Sequence, residues 1–115
     1  MSDKIVIYHK PTCSKCRATL SLLENNGVQF ESVNYYETPL SAEKLKELIQ
    51  KLNLSVHDVL RKDEPSASNL NAASDNEIIE AMVKNPDLIQ RPIVVRGESA
   101  KLCRPPENVL ELLKL

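Results

Sequence analysis

Apolar and polar positions divide the chain into short runs separated by clear punctuation. Residues 4–8 (Lys-Ile-Val-Ile-Tyr) are a β-branched apolar run, which predicts a strand buried on both faces. Pro11, Thr12 and Cys13 then form a turn, and the pattern from Ser14 to about Asn25 predicts a helix ending near Gly27. Residues 28–35 predict a second strand, although their alternation slips around Ser32. Ser41 is an N-cap for a helix to about Leu52, with Ala42, Leu45, Leu48, Ile49 and Leu52 as its apolar stripe. Residues 53–73 are mixed, with one short helix expected at about 56–61. Ser74-Asp75-Asn76-Glu77 is a capping box that opens a helix carrying Ile78, Ile79, Met82 and Val83, and Asn85-Pro86 stops it. Pro92-Ile93-Val94-Val95 predicts a third strand, and Gly97 turns the chain back into a fourth at 100–103. Pro105-Pro106-Glu107 starts a last helix through Leu113, since proline in a first turn removes no hydrogen bond.

The resulting order is β-α-β-α, a helical insertion over about 53–86, then β-β-α. It predicts an α/β, thioredoxin-like fold with a four-stranded mixed sheet, as a single domain over residues 1–115. Such a fold sets a reactive turn at the C-terminal end of the first strand, where Cys13 lies.

Composition narrows the function classes. Hydrophobic residues make up 42% and charged residues 27%, ordinary for a globular protein. A net charge of −1 gives no reason to expect nucleic acid or an anionic membrane as partner. There is no 18-residue apolar run and no signal-peptide pattern, so a cytoplasmic location is expected. Cys13, Cys16 and Cys103 are too few for a secreted disulfide framework. Zinc is not expected either, because only one close cysteine pair exists; His9 and His57 could complete a ligand set only through the fold.

Cys13 carries the chemistry. A helix N-terminus aims unpaired N–H groups at the sulfur, and His9, Lys15 and Arg17 raise the local positive potential, all favouring the thiolate. The N–H groups from about Ser14 through Lys15 to Arg17 would also cradle a bound oxyanion. Cys16 completes a C-x-x-C pair with two readings: a resolving thiol, or a core residue continuing the face of Leu20 and Leu23. Cys103, with nothing nearby to activate it, is expected to pack. Three arginines sit in contexts unusual for solvated charge: Arg61 after Val59-Leu60, Arg91 before Pro92, and Arg104 before Pro105-Pro106.

These residues lie in segments that resemble the ArsC family, the glutaredoxin-coupled arsenate reductases. His9-Lys10-Pro11-Thr12-Cys13-Ser14-Lys15-Cys16-Arg17 is similar to the family's H-x-x-x-C-x-x-[SC]-R segment. Tyr35-Tyr36-Glu37-Thr38-Pro39, Leu60-Arg61-Lys62, Arg91-Pro92-Ile93-Val94-Val95 and Leu102-Cys103-Arg104-Pro105-Pro106-Glu107 follow the same family in order. The resemblance implies that Cys13 attacks arsenate, that Arg61, Arg91 and Arg104 hold its oxygens, and that His9 favours the thiolate. It implies glutathione as co-substrate, glutaredoxin as reductant, no bound cofactor or metal, and Pro92 as the cis-proline of the fold. The expected assembly is a monomer. Many members carry serine where this chain has Cys16, so an internal disulfide with Cys13 could replace or compete with glutathione. Two other functions use the same residues: a thiol-disulfide or deglutathionylating reductase, and a redox regulator that binds RNA polymerase, like the Spx proteins. The three arginines favour arsenate, since disulfide exchange needs none of them.

Overall fold

The computed structural model describes residues 4–10, 12–70, 72–103 and 106–113. The chain divides into two compact units, one formed by Met1–Thr38 with Arg91–Leu115 and the other by Pro39–Gln90.

The first unit is built on a sheet of β1 (Ile5–His9), β2 (Glu31–Asn34), β3 (Ile93–Arg96) and β4 (Ser99–Leu102). Its order is β2-β1-β3-β4, with β1 parallel to β2, antiparallel to β3, and β3 antiparallel to β4. The four-stranded mixed sheet is therefore as expected. Helix α1 (Ser14–Asn25) joins β1 to β2, and a 3-10 turn (Pro106–Asn108) leads into α5 (Val109–Leu113). Ile5, Ile7, Leu23, Val94, Cys103, Val109 and Leu112 form one buried cluster between the sheet and these two helices. Helix α1 stops at Gly27, whose φ of 66° lets its N–H reach the Glu24 carbonyl and the Val28 N–H reach that of Leu23.

Strand β2 is shorter than its apolar pattern suggests. Val28 and Phe30 pack against the buried cluster from the loop before it. After it, Tyr35 enters a turn closed by the Glu37 and Thr38 N–H groups on the Asn34 carbonyl.

The second unit contains α2 (Ala42–Leu52), α3 (Val56–Val59) and α4 (Asp75–Lys84). Ser41 caps α2 by accepting from the Lys44 N–H. Ser74 and Glu77 exchange both bonds of the capping box at α4, and Ser55 and Asp58 form a second box at α3. Helix α3 is a single turn, ending before the expected residue 61, because Leu60 leaves it to form an antiparallel bridge with Ile89. That pairing is fixed by Gln90 N–H to Val59 O at 2.8 Å and Arg61 N–H to Leu88 O at 2.8 Å. Among the described residues, no helix is long and apolar enough to cross a membrane.

Candidate active site

Cys13 is the residue immediately before α1, in extended conformation (φ −83°, ψ 126°), and its own N–H is held by the Lys10 carbonyl at 3.0 Å. The first intrahelical bond runs from the Arg17 N–H to the Cys13 carbonyl at 3.0 Å. The amides of Ser14, Lys15 and Cys16 consequently lie ahead of the helix ladder and are available at its N-terminus. The expected anion cradle is shortened by one residue: the Arg17 amide is already engaged, and its side chain is exposed.

Cys13 is partly accessible. Burial pushes its pKa up, but the amides of Lys15 and Cys16, the Cys16 thiol and the Arg91 guanidinium outweigh that effect, so Cys13 lies below the ordinary thiol value. The two amides face the sulfur without closing a fully aligned cap. Cys16 is fully buried in α1, and burial pushes its thiol up to about 12; the neighbouring Cys13 adds to the rise, while the Lys10 amide and Arg91 oppose it. Of the pair, Cys13 is therefore the thiol that ionises more readily and Cys16 the one that keeps its proton. Cys103 is also fully buried and pushed up to about 12 by burial, with its Sγ directed at the Lys101 carbonyl at 3.7 Å.

Arg91 is only 7% exposed and precedes Pro92 through a cis peptide bond. Burial disfavours its charge, but Tyr35, Tyr36 and Cys13 more than compensate, so the guanidinium stays cationic. Tyr35, which follows β2, brings a buried phenol to the same cluster. Sequence reasoning passed over Tyr35 as a site residue. The available signal was a large aromatic just after a strand parallel to β1, at the same end of the sheet as Cys13.

His9 is the last residue of β1, paired in register with Asn34. It is buried, its Nδ1 has no hydrogen-bond partner among the described residues, and burial lowers its pKa. The imidazole is thus neutral at physiological pH, and the positive charge beside Cys13 comes from Arg91 instead of His9. His9 also lines a 510 Å³ cleft with Ser32, Asn34, Glu37 and Thr38.

Arg61 belongs to the second unit, where its Nη2 lies 3.8 Å from the exposed Asp63 carboxylate and its buried Nε has no partner among the described residues. Arg104 lies outside the described residues. Among the described residues no group of three or more His, Cys, Asp or Glu side chains could hold a metal ion.

A partly accessible cysteine of lowered pKa at a helix N-terminus, with a buried arginine beside it and a buried thiol one turn on, defines a nucleophilic cysteine site on an α/β sheet. A model of the ArsC family matches residues 8–112, and the chain belongs to that family. It is 45% identical to the uncharacterized protein YfgD of Escherichia coli (strain K12), covering 98% of this chain and 99% of that protein. An Escherichia coli arsenate reductase is 41% identical over 96% of this chain and 82% of its own length. The solved structure of an arsenate reductase from Vibrio cholerae superposes with a TM-score of 0.90 at 44% identity, covering 96% of this chain and 98% of that one. The fold is thus the thioredoxin-like one of these enzymes.

Proposed function

We propose that this protein is an arsenate reductase that works through Cys13. The observation that carries the reading is Cys13, made more acidic by helix amides and by the buried Arg91 cation, in a chain that follows arsenate reductases over nearly its whole length. The sulfur attacks arsenic, a covalent S–As bond forms, and one arsenate oxygen leaves as water. Arg91 and the amides of Ser14, Lys15 and Cys16 suit the oxygens of a tetrahedral oxyanion and neutralise charge as the adduct forms. Arg61 and Arg104 complete the oxyanion site in this proposal. A glutathione thiolate then attacks the Cys13 sulfur, giving a Cys13–glutathione disulfide. The S–As electron pair leaves with arsenic, which is thereby reduced to arsenite. Glutaredoxin returns Cys13 to the thiol, and no bound cofactor is required.

The chemistry needs a reducing compartment, which supports a cytoplasmic location. We take the monomer as the working unit. The test is arsenite formation from arsenate with glutathione and glutaredoxin, on wild type and Cys13→Ser. Turnover by wild type and none by Cys13→Ser is expected; an inactive wild type, or an active Cys13→Ser, would overturn the assignment.

A further inference from the structure

Tyr35 is a buried ionisable side chain to which the reaction above gives no task. The residue is 2% exposed, and its hydroxyl is buried without an aligned hydrogen-bond partner among the described residues. A polar group in that position is costly unless something in the site uses it. The ring is well fixed. The turn after β2 is closed on the Asn34 carbonyl, and the Asn34 side chain accepts from the Tyr36 N–H at 3.0 Å. The Tyr36 ring lies 5.1 Å from that of Tyr35, and the Lys10 ammonium sits 4.8 Å from the Tyr36 centroid.

The charged and titratable groups that act on the phenol are Arg91, Cys16 and Cys13. Burial pushes Tyr35 up to about 12 despite Arg91, so the hydroxyl stays protonated through the working range. Tyr35 follows β2 and Arg91 precedes β3, so the order β2-β1-β3 brings both to the end of the sheet where Cys13 lies. The phenol oxygen can accept, and Arg91 is the cation that lowers the Cys13 pKa.

We propose that Tyr35 is a positioning residue: its hydroxyl oxygen accepts from the Arg91 guanidinium and holds that cation toward the Cys13 sulfur. The proposal rests on the arsenate reductase reading for its substrate, but not for its effect on the thiolate.

The experiment is a double-mutant cycle with Tyr35→Phe, which keeps the ring and its contact with Tyr36, and Arg91→Ala. Two quantities are read. The first is the Cys13 titration, from the pH dependence of iodoacetamide alkylation in the absence of arsenate. The second is KM and kcat for arsenate. Tyr35→Phe is expected to raise the apparent Cys13 pKa by roughly half a unit to one unit, the range of one ordinary hydrogen bond, since Tyr35 acts on the sulfur only through Arg91. It is expected to raise KM about 3- to 10-fold and to lower kcat at pH 7 by no more than the loss of thiolate accounts for. In the Arg91→Ala background the same substitution should move neither quantity, because Tyr35 acts through Arg91. An unchanged Cys13 titration in Tyr35→Phe, or an equal shift with and without Arg91, would overturn the proposal. Because the titration needs no arsenate, a wild-type chain that fails to reduce arsenate sinks the functional reading while leaving this test intact.

Discussion

The Cys16 thiol donates toward the Cys13 sulfur, so the two cysteines of the C-x-x-C pair are shifted in opposite directions, Cys13 below the ordinary thiol value and Cys16 up to about 12. One i,i+3 turn of helix separates the partly accessible Cys13 from the fully buried Cys16. The donor bond favours charge on Cys13 and disfavours it on Cys16, which makes Cys16 a poor nucleophile in the resting enzyme.

Cys16→Ser and Cys16→Ala separate this donor role from a resolving role. Serine keeps an O–H in place, so the Cys13 alkylation profile and arsenate turnover with glutathione should stay close to wild type. Alanine removes the donor, and the Cys13 pKa should rise by about half a unit to one unit. At pH 7 the thiolate fraction, and with it the alkylation rate, should fall severalfold. Loss of turnover in Cys16→Ser with a normal Cys13 titration would instead make Cys16 the resolving thiol.

Arg91 is the buried cation whose removal should affect both the nucleophile and the substrate. Arg91→Ala is expected to raise the Cys13 pKa and to lower kcat/KM for arsenate by on the order of 10²–10³, the usual cost of losing one oxyanion donor. Arg91→Lys keeps a charge but not the planar fork, so it should restore part of the thiolate character and little of the turnover. Parallel alkylation and arsenite assays measure the two effects separately, and a lysine variant with full activity would argue that only charge matters there.

His9 predicts a pH dependence of stability with a defined sign. Burial lowers its pKa in the fold below the ordinary value of 6.5, so the unfolded chain takes up a proton first as pH falls. The stability held by neutral His9 is complete above about pH 6.5 and is lost as pH falls toward the folded value. The capping carboxylates of Glu77 and Asp58 also have lowered values, from ordinary ones of 4.5 and 3.8, and so lose their contributions only in more acidic solution. Thermal melts between pH 7.5 and 5.5 should therefore show a falling melting temperature in wild type and a flatter profile in His9→Asn. Identical slopes for the two proteins would count against a buried neutral His9.

Much of this protein was readable in its sequence because the signals were local. Ser41, Ser74 and Glu77 mark their helix starts by bonds within three residues, and Cys13 announces itself by preceding a helix. The errors arise where distant residues decide. Apolar Val28 and Phe30 look like strand but pack onto the core from a loop, and Leu60 abandons α3 for a bridge to Ile89. His9 appears as a positive neighbour of Cys13 in sequence, while its burial keeps it neutral. The tasks of Arg91 and Tyr35 depend on which side chains the sheet gathers at one end, a tertiary relationship that no local pattern carries.

Arg61 offers the sharpest test of the oxyanion site beyond Cys13. Its backbone is fixed by the bond to Leu88, whereas its guanidinium has only a 3.8 Å ion pair with the exposed Asp63 and an unpartnered buried Nε. A pair of that length, with its carboxylate in solvent, contributes little to folding. Asp63→Asn should accordingly leave the melting temperature and the arsenate KM near wild type. Arg61→Ala should change stability by less than about 1 kcal/mol. If the guanidinium serves arsenate, however, that variant should raise KM about tenfold or more, because a charge-assisted bond to an oxyanion oxygen is worth roughly 1.5–3 kcal/mol. Its Cys13 alkylation profile should not move, since the charge that acts on the resting sulfur is that of Arg91. A normal arsenate KM in Arg61→Ala would remove Arg61 from the site and leave Arg91 and the α1 amides to hold the oxyanion with Arg104.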